Sequence, residues 1–221
     1  MAEFTRFTEP RFVYWKLASR AQTSMLLLHA ADIPYVWDDT TANKWPESKV
    51  SQPFGQLPVL HHDGHIIAQS GTIVRYCAML AGLEATNTEG WLKADMLIEH
   101  CNDIFTLMTK AKYAGDTQAQ KKAWAELADK KYPEHVTWMV KMLGTDDYFG
   151  GDKPNVGDIA VFSVLNLAER AGIECSLSKW PTLLEHSKRV SQLGTIPKYL
   201  AANYPVYFKV PKDTLLEKME R

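Results

Sequence analysis

Phe54-Gly55-Gln56-Leu57-Pro58-Val59-Leu60 runs into His61-His62-Asp63-Gly64-His65-Ile66-Ile67-Ala68, and then into Gln69-Ser70-Gly71-Thr72-Ile73. A proline opening an apolar run cannot donate to a strand ladder, so Pro58 belongs at a strand start or a bend. Gly55 ahead of it suggests a sharp turn, and an X-Pro bond in such a turn is a candidate for the cis form. A turn of that kind leaves the backbone amide and carbonyl of Leu57 open to an extended peptide ligand, in the manner of strand addition. Read alone, the stretch is better explained as a merely structural turn. Asp63-Gly64 between two apolar runs is a hairpin signal, because Gly accepts the positive φ that tight hairpin turns demand. Ser70 is placed to cap a helix reaching to about Leu80, a role Ser fills in many proteins. The free amides and positive dipole end of such a helix also attract a carboxylate. A peptide-pairing turn and an anion-binding helix start, joined by one hairpin, would hold a small peptide with a free carboxylate.

Upstream, Phe12-Val13-Tyr14-Trp15 has the β-branched and aromatic content of a strand. Ser19-Arg20-Ala21-Gln22 reads as a capping box ahead of a helix through Met25-Leu26-Leu27-Leu28. Ile33 to Trp37 predicts a second strand, and Asp38 to Gln52 a polar loop with a short helical turn. The order strand, helix, strand, irregular segment, strand, strand, helix predicts a mixed sheet with helices packed on it. Ala81 to Gly90, with Gly82, Asn87 and Gly90, reads as a linker. Beyond it only helices are predicted: 91–113, 118–143, 155–171, 181–193 and 196–203. The chain therefore reads as an α/β module followed by an all-helical one.

The 221 residues, 46% hydrophobic and 23% charged with a net charge of −1, have ordinary globular composition. That charge gives no electrostatic reason to expect nucleic acid or an anionic membrane as a partner. No apolar run approaches the ~18 residues of a membrane span, and residues 1–12 hold no signal-peptide core. Cys77, Cys101 and Cys175 lie far apart with no CxxC pair, which fits reduced, buried thiols in a cytoplasmic protein. His61, His62 and His65 surround the hairpin turn. Since His61 and His62 point to opposite faces, solvated hairpin residues explain them better than a metal centre does.

The series Tyr14, Arg20, Trp45, Lys49, Phe54-Gly55-Gln56-Leu57-Pro58, Gln69-Ser70 and Arg75-Tyr76 resembles the glutathione-binding domain of cytosolic glutathione transferases. The likeness is closest to the tyrosine-dependent classes, and among them to the sigma class, which includes glutathione-dependent prostaglandin D synthases. It continues into Asn155-Val156-Gly157-Asp158-Ile159-Ala160, where the family has a buried N-capping box. The resemblance implies a thioredoxin-like α/β domain over residues 10–81. An all-helical domain over 91–221 would contribute a hydrophobic substrate pocket, and the whole would be a homodimer using glutathione as cosubstrate with no tightly bound cofactor. It implies that Pro58 is cis, that Leu57 pairs with the cysteinyl backbone, and that Gln69 and Ser70 hold the γ-glutamyl carboxylate. Trp45 and Lys49 would contact the glycyl end, with Gln56 in the same binding set. Glu99 would reach the γ-glutamyl amine of the neighbouring subunit's ligand, where the family usually has Asp. Leu17, Ala18, Phe105 and Met108 would line the pocket.

By the same resemblance Tyr14 is the catalytic residue, with Arg20 adding positive potential. A thiol with a pKa near 8.5 is mostly protonated at pH 7, and only the thiolate attacks well. A hydroxyl aimed at the sulfur stabilises the anion by about 1.5–3 kcal/mol. Without the resemblance Tyr14 would read as a packing residue. Its rival is Ser19, but the capping box with Gln22 accounts for Ser19. Where the family often has Arg-Gly-Arg-Ala-Glu, this chain has Ala18-Ser19-Arg20-Ala21-Gln22, beside the second-substrate pocket. The tail, Pro205-Val206-Tyr207-Phe208-Lys209-Val210-Pro211, is able either to fold over that pocket or to pack on the last helix. The implied reaction is attack of glutathione thiolate on a hydrophobic electrophile. A glutathione-dependent isomerase and a non-catalytic, crystallin-like relative are the alternatives.

Overall fold

The computed structural model describes residues 8–173, 177–208, 210 and 211. Strand β1 (Arg11–Val13) leads through helix α1 (Gln22–Ala30) to β2 (Val36–Asp38). Strands β3 (Val59–His62) and β4 (His65–Ala68) follow, then helix α2 (Ser70–Ala81). The sheet order is β2-β1-β3-β4. β2 runs parallel to β1, as a strand returning through a crossover helix must, and the remaining pairs are antiparallel. Asp63 and Gly64 both take positive φ, 47° and 78°, so the β3–β4 turn uses the dipeptide as its sequence predicts.

β1 stops at Val13, and Tyr14 already lies beyond it. The second strand is 36–38 rather than 33–37, because Ile33 folds back to donate its amide to Leu28 and extends the close of α1.

The helical half comprises α3 (Thr88–Lys112), α4 (Thr117–Glu126), α5 (Tyr132–Leu143), α6 (Val156–Ala171), α7 (Pro181–Val190) and α8 (Ile196–Ala201). α3 begins three residues before the expected Trp91 because the Asn87 side chain accepts from the Gly90 amide and caps it. The single helix expected over 118–143 is divided by a π turn at 127–131, immediately before Pro133. A proline has no amide to give, and a wider turn accommodates that loss.

α6 is buried on almost every face, as a central helix must be. Its start is the expected capping box. Asn155 accepts from the Gly157 amide, and the fully buried Asp158 accepts from the amides of Asn155 (2.8 Å) and Phe149 (2.7 Å). His186 on α7 donates to the same carboxylate at 2.8 Å, so Asp158 ties three segments together.

The two halves meet along α1, which packs on α2 on one side and on α6 and α8 on the other. Here the capping box read from Ser19 and Gln22 is corrected. α1 begins at Gln22 itself with no side-chain cap. The Gln22 amide side chain reaches the Ser163 carbonyl on α6 at 3.1 Å instead, and Thr23 donates to the Ser163 hydroxyl at 2.9 Å. At the other end of α1, Gly194 lies so close that an added Cβ would stand 2.3 Å from the His29 carbonyl oxygen.

Candidate active site

The Leu57–Pro58 bond is cis. Strand pairing starts only at Val59, and the amide and carbonyl of Leu57 bond to no other described residue. Gln69 takes φ 70°, a conformation rare for a residue with a side chain. It, rather than Ser70, occupies the capping position, and Ser70 is the first helical residue. The Ser70 hydroxyl and amide are thereby left facing the space in front of α2 instead of being consumed by a cap.

That space is a cavity of about 630 Å³. Arg20, Trp45, Gln56, Leu57, Pro58, Gln69 and Ser70, seven of the residues expected at the site, wall it. Gly55, Trp15, Tyr113 and Tyr207 complete the wall, and the three aromatics were not anticipated as site residues. Trp15 adjoins Tyr14 in the same aromatic run, and its ring stands edge-on to Trp45 at 5.9 Å. Lys49 is exposed, and its side chain lies across Gly55, where a Cβ would come within 3.1 Å of its Cε. Lys49 thus packs behind Gly55 and is not itself part of the wall.

Tyr14 lies behind this wall, 5% exposed. Its backbone is held by the Tyr14 amide on the Asp38 carbonyl (3.2 Å) and by the Trp37 indole on the Tyr14 carbonyl (3.0 Å). Its hydroxyl oxygen is met by the Ser19 side chain and by the Arg20 amide. Burial, the largest influence, pushes the phenol pKa up, opposed by these two hydrogen bonds and by the Arg20 charge. The phenol stays protonated at neutral pH. Ser19, read from sequence as a helix cap, is thus a partner of Tyr14. That contact depends on how the loop 15–21 folds back, which no local pattern specifies. Arg20 is half-buried, its guanidinium 4.3 Å over the Phe105 ring, with its pKa lowered by desolvation and sustained by Tyr14.

The tail folds over the site. The Ala18 amide donates to the Pro205 carbonyl (2.7 Å) and the Tyr207 amide to the Ala18 carbonyl (3.1 Å), forming a parallel bridge. Lys112 donates to the Tyr207 carbonyl at 2.6 Å and lies on its ring, and the hydroxyls of Tyr207 and Tyr113 are hydrogen-bonded. Phe208 is fully buried between Phe105 (4.9 Å) and Trp124 (6.4 Å). Lys209 lies outside the described residues, as does Cys175.

This closure corrects the expected pocket lining. Ala18 has no exposed surface because its backbone is bridged to the strap, and Met108 is wholly within the core. Phe105 is 7% exposed beneath Arg20 and Phe208 and edges only a void of about 40 Å³, while half-buried Leu17 packs on the core and does not wall the cavity. Glu99 also lies off the cavity, ion-paired with Arg75 at 2.7 Å, which Asp95 also engages. His62 is not solvated: it is buried, with Nδ1 2.8 Å from the Tyr76 hydroxyl. Among the described residues no group of three or more His, Cys, Asp or Glu side chains is arranged to hold a metal. Cys77 and Cys101 are buried free thiols whose pKa values burial raises, away from the cavity wall.

Two family profiles match in succession. The Glutathione S-transferase N-terminal domain covers residues 10–79, and the Glutathione S-transferase C-terminal domain covers 102–203. The chain belongs to the glutathione S-transferase family. It is 29% identical to hematopoietic prostaglandin D synthase of Gallus gallus, over 86% of this chain and 94% of that one. It is 27% identical to Glutathione S-transferase Mu 1 of Bos taurus, over 86% and 89%. Among solved structures, a Pi-class glutathione S-transferase of Onchocerca volvulus superposes with a TM-score of 0.79, at 24% identity over 94% of this chain and 99% of that one. Rat hPGDS complexed with a quinoline superposes with 0.78, at 19% identity over 90% and 98%. The two halves described above are thus the thioredoxin-like and helical domains of the transferase fold.

Proposed function

We propose that this transferase binds glutathione in the 630 Å³ cavity and activates its thiol for attack on hydrophobic electrophiles, with Tyr14 as the hydroxyl donor to sulfur. The observation that carries the reading is the cavity itself, where the open backbone of Leu57 before cis-Pro58 and the start of α2 at Ser70 share one wall with Arg20, beside the buried Tyr14. The start of α2 at Ser70, with Gln69, receives the γ-glutamyl carboxylate. The open backbone of Leu57 after Gln56 pairs with the cysteinyl residue, and Trp45 and Lys49 take the glycyl end. Arg20 supplies positive potential beside the sulfur. In the reaction the thiol proton leaves to solvent, the thiolate electron pair forms the new S–C bond, and the leaving group or π-electron pair departs from the attacked carbon.

In this reading residues 10–81 form the glutathione domain and 91–221 the domain that faces the electrophile, in a cytoplasmic homodimer. Phe54, 77% exposed, and the exposed Trp91, Leu92 and Met96 on α3 support association, since a monomer leaves them in water. Glu99, near the start of α2 and already paired with Arg75, reaches the partner's ligand only by sharing that pair. The prostaglandin D synthase relative supports a second reading, an isomerase that regenerates glutathione.

Glutathione at ~100 times its dissociation constant stabilises the fold by about 2.7 kcal/mol. A melting temperature indifferent to millimolar glutathione refutes the binding site. Conjugation of a chloronitrobenzene, followed alongside glutathione consumption during turnover of a peroxide-bearing lipid, separates transferase from isomerase.

A further inference from the structure

Two imidazoles face each other across α3 and α5, outside the cavity wall. His135 Nδ1 stands 3.3 Å from His100 Nε2, with ring centroids 4.7 Å apart at 44°. His100 Nε2 is also 3.4 Å from the His135 carbonyl oxygen. Both rings are half-buried, so one side of the pair meets solvent. Both contacts are hydrogen bonds at the long end of the range, beyond the ~2.7–3.2 Å at which N–H donors usually settle. Two nitrogens bound at about 2.0–2.1 Å to one tetrahedral zinc ion stand about 3.3–3.4 Å apart. The 3.3 Å separation of the two ring nitrogens also matches that of two ligands on a common ion. Asp103, one turn beyond His100, and Glu134, beside His135, place carboxylates near the pair, although burial first and then the facing His100 lower the His135 pKa.

We propose that His100 and His135 form a two-imidazole site for a divalent transition metal of the zinc, nickel and copper group, with water completing its coordination. The ion pins α3 to α5, each imidazole keeping its proton on the nitrogen remote from the metal. Trp138 reports on the site: its ring lies 5.1 Å from His135 and 5.9 Å from His100, and it is 50% exposed.

The test uses full-length protein purified without a histidine tag, stripped with chelator, and kept free of glutathione, whose thiol competes for metal. Calorimetry with Zn²⁺ gives one ion per chain, and Cu²⁺ quenches tryptophan emission at the same stoichiometry. His100→Gln and His135→Gln each weaken zinc binding by roughly tenfold or more, a scale reached even by changes beyond the ligands themselves. His61→Gln and His65→Gln leave it unchanged. Trp138→Phe removes most of the copper-dependent quenching while zinc binding persists, a readout that needs no histidine variant to fold. No binding by the native protein, zinc affinity unchanged in His100→Gln, or quenching unchanged in Trp138→Phe overturns the site. Loss of conjugation with metal binding intact would bear only on the glutathione reading.

Discussion

Removing Ser19 should make the bound glutathione thiol less acidic, although Ser19 never touches it in the proposed arrangement. Ser19 and the Arg20 amide both bear on the Tyr14 hydroxyl; in the proposed arrangement they donate to its oxygen, and a phenol that accepts hydrogen bonds is a better donor. Tyr14→Phe deletes the donor while keeping the ring. The loss of about 1.5–3 kcal/mol on a charged sulfur returns the thiol toward its free pKa near 8.5, by roughly one to two units. Activity at neutral pH then falls about ten- to a hundredfold and partly recovers at alkaline pH. Ser19→Ala withdraws one neutral hydrogen bond, about 0.5–1.5 kcal/mol, of which only a part passes through the phenol to sulfur. Its shift should be under about one unit, upward. Because the two act in series, Tyr14→Phe/Ser19→Ala should show no larger shift than Tyr14→Phe alone. The assay is thiolate absorbance of the enzyme–glutathione complex titrated against pH. A Ser19→Ala shift exceeding that of Tyr14→Phe, or full additivity in the double variant, would falsify the relay and make Ser19 the direct donor.

Asp158→Ala strips a fully buried acceptor from two amides and His186, and should cost about 3–5 kcal/mol in denaturant unfolding; a loss below about 1 kcal/mol contradicts that account. At high pH, Cys77, pushed up to about 12, and Cys101, Tyr14, Tyr35 and Tyr199, all raised first by burial, keep protons that the unfolded chain releases near 9 for thiols and 10 for phenols. Their raised folded values make this contribution complete below pH 9 and lost as pH rises above it, at about 1.4 kcal/mol per pH unit per proton. A denaturation midpoint that stays flat from pH 8 to 11 would refute it. Phe208→Ala should cost about 3–5 kcal/mol and loosen the strap, raising activity toward bulky electrophiles relative to small ones; an unchanged ratio means the strap does not restrict entry.

The sequence by itself determined what is encoded over a few residues. Leu57-Pro58 set the turn, Asp63-Gly64 the hairpin, and Asn155 with Asp158 the start of the central helix. Each is a local conformational preference or a hydrogen bond between near neighbours, so its signal lies inside a short window. Of the cavity wall, Leu57, Pro58 and Ser70 were legible for the same reason, since they flank one hairpin, whereas Trp45, Gln56 and Gln69 were expected there only through the family resemblance. The tertiary structure decided everything whose partner is distant in the chain. Ser19 and Gln22 satisfy a capping pattern, yet Ser19 meets Tyr14 and Gln22 meets α6, because a buried polar side chain takes whichever partner packing brings to it. The aromatic tail reads equally as a lid or as packing. Only the space between Phe105 and Trp124, built from α3 and α4, selects Phe208 as its plug, and so places Tyr207 in the cavity wall. His100 and His135 are 35 residues apart, and no local rule could bring them within 3.3 Å; the packing of α3 against α5 did.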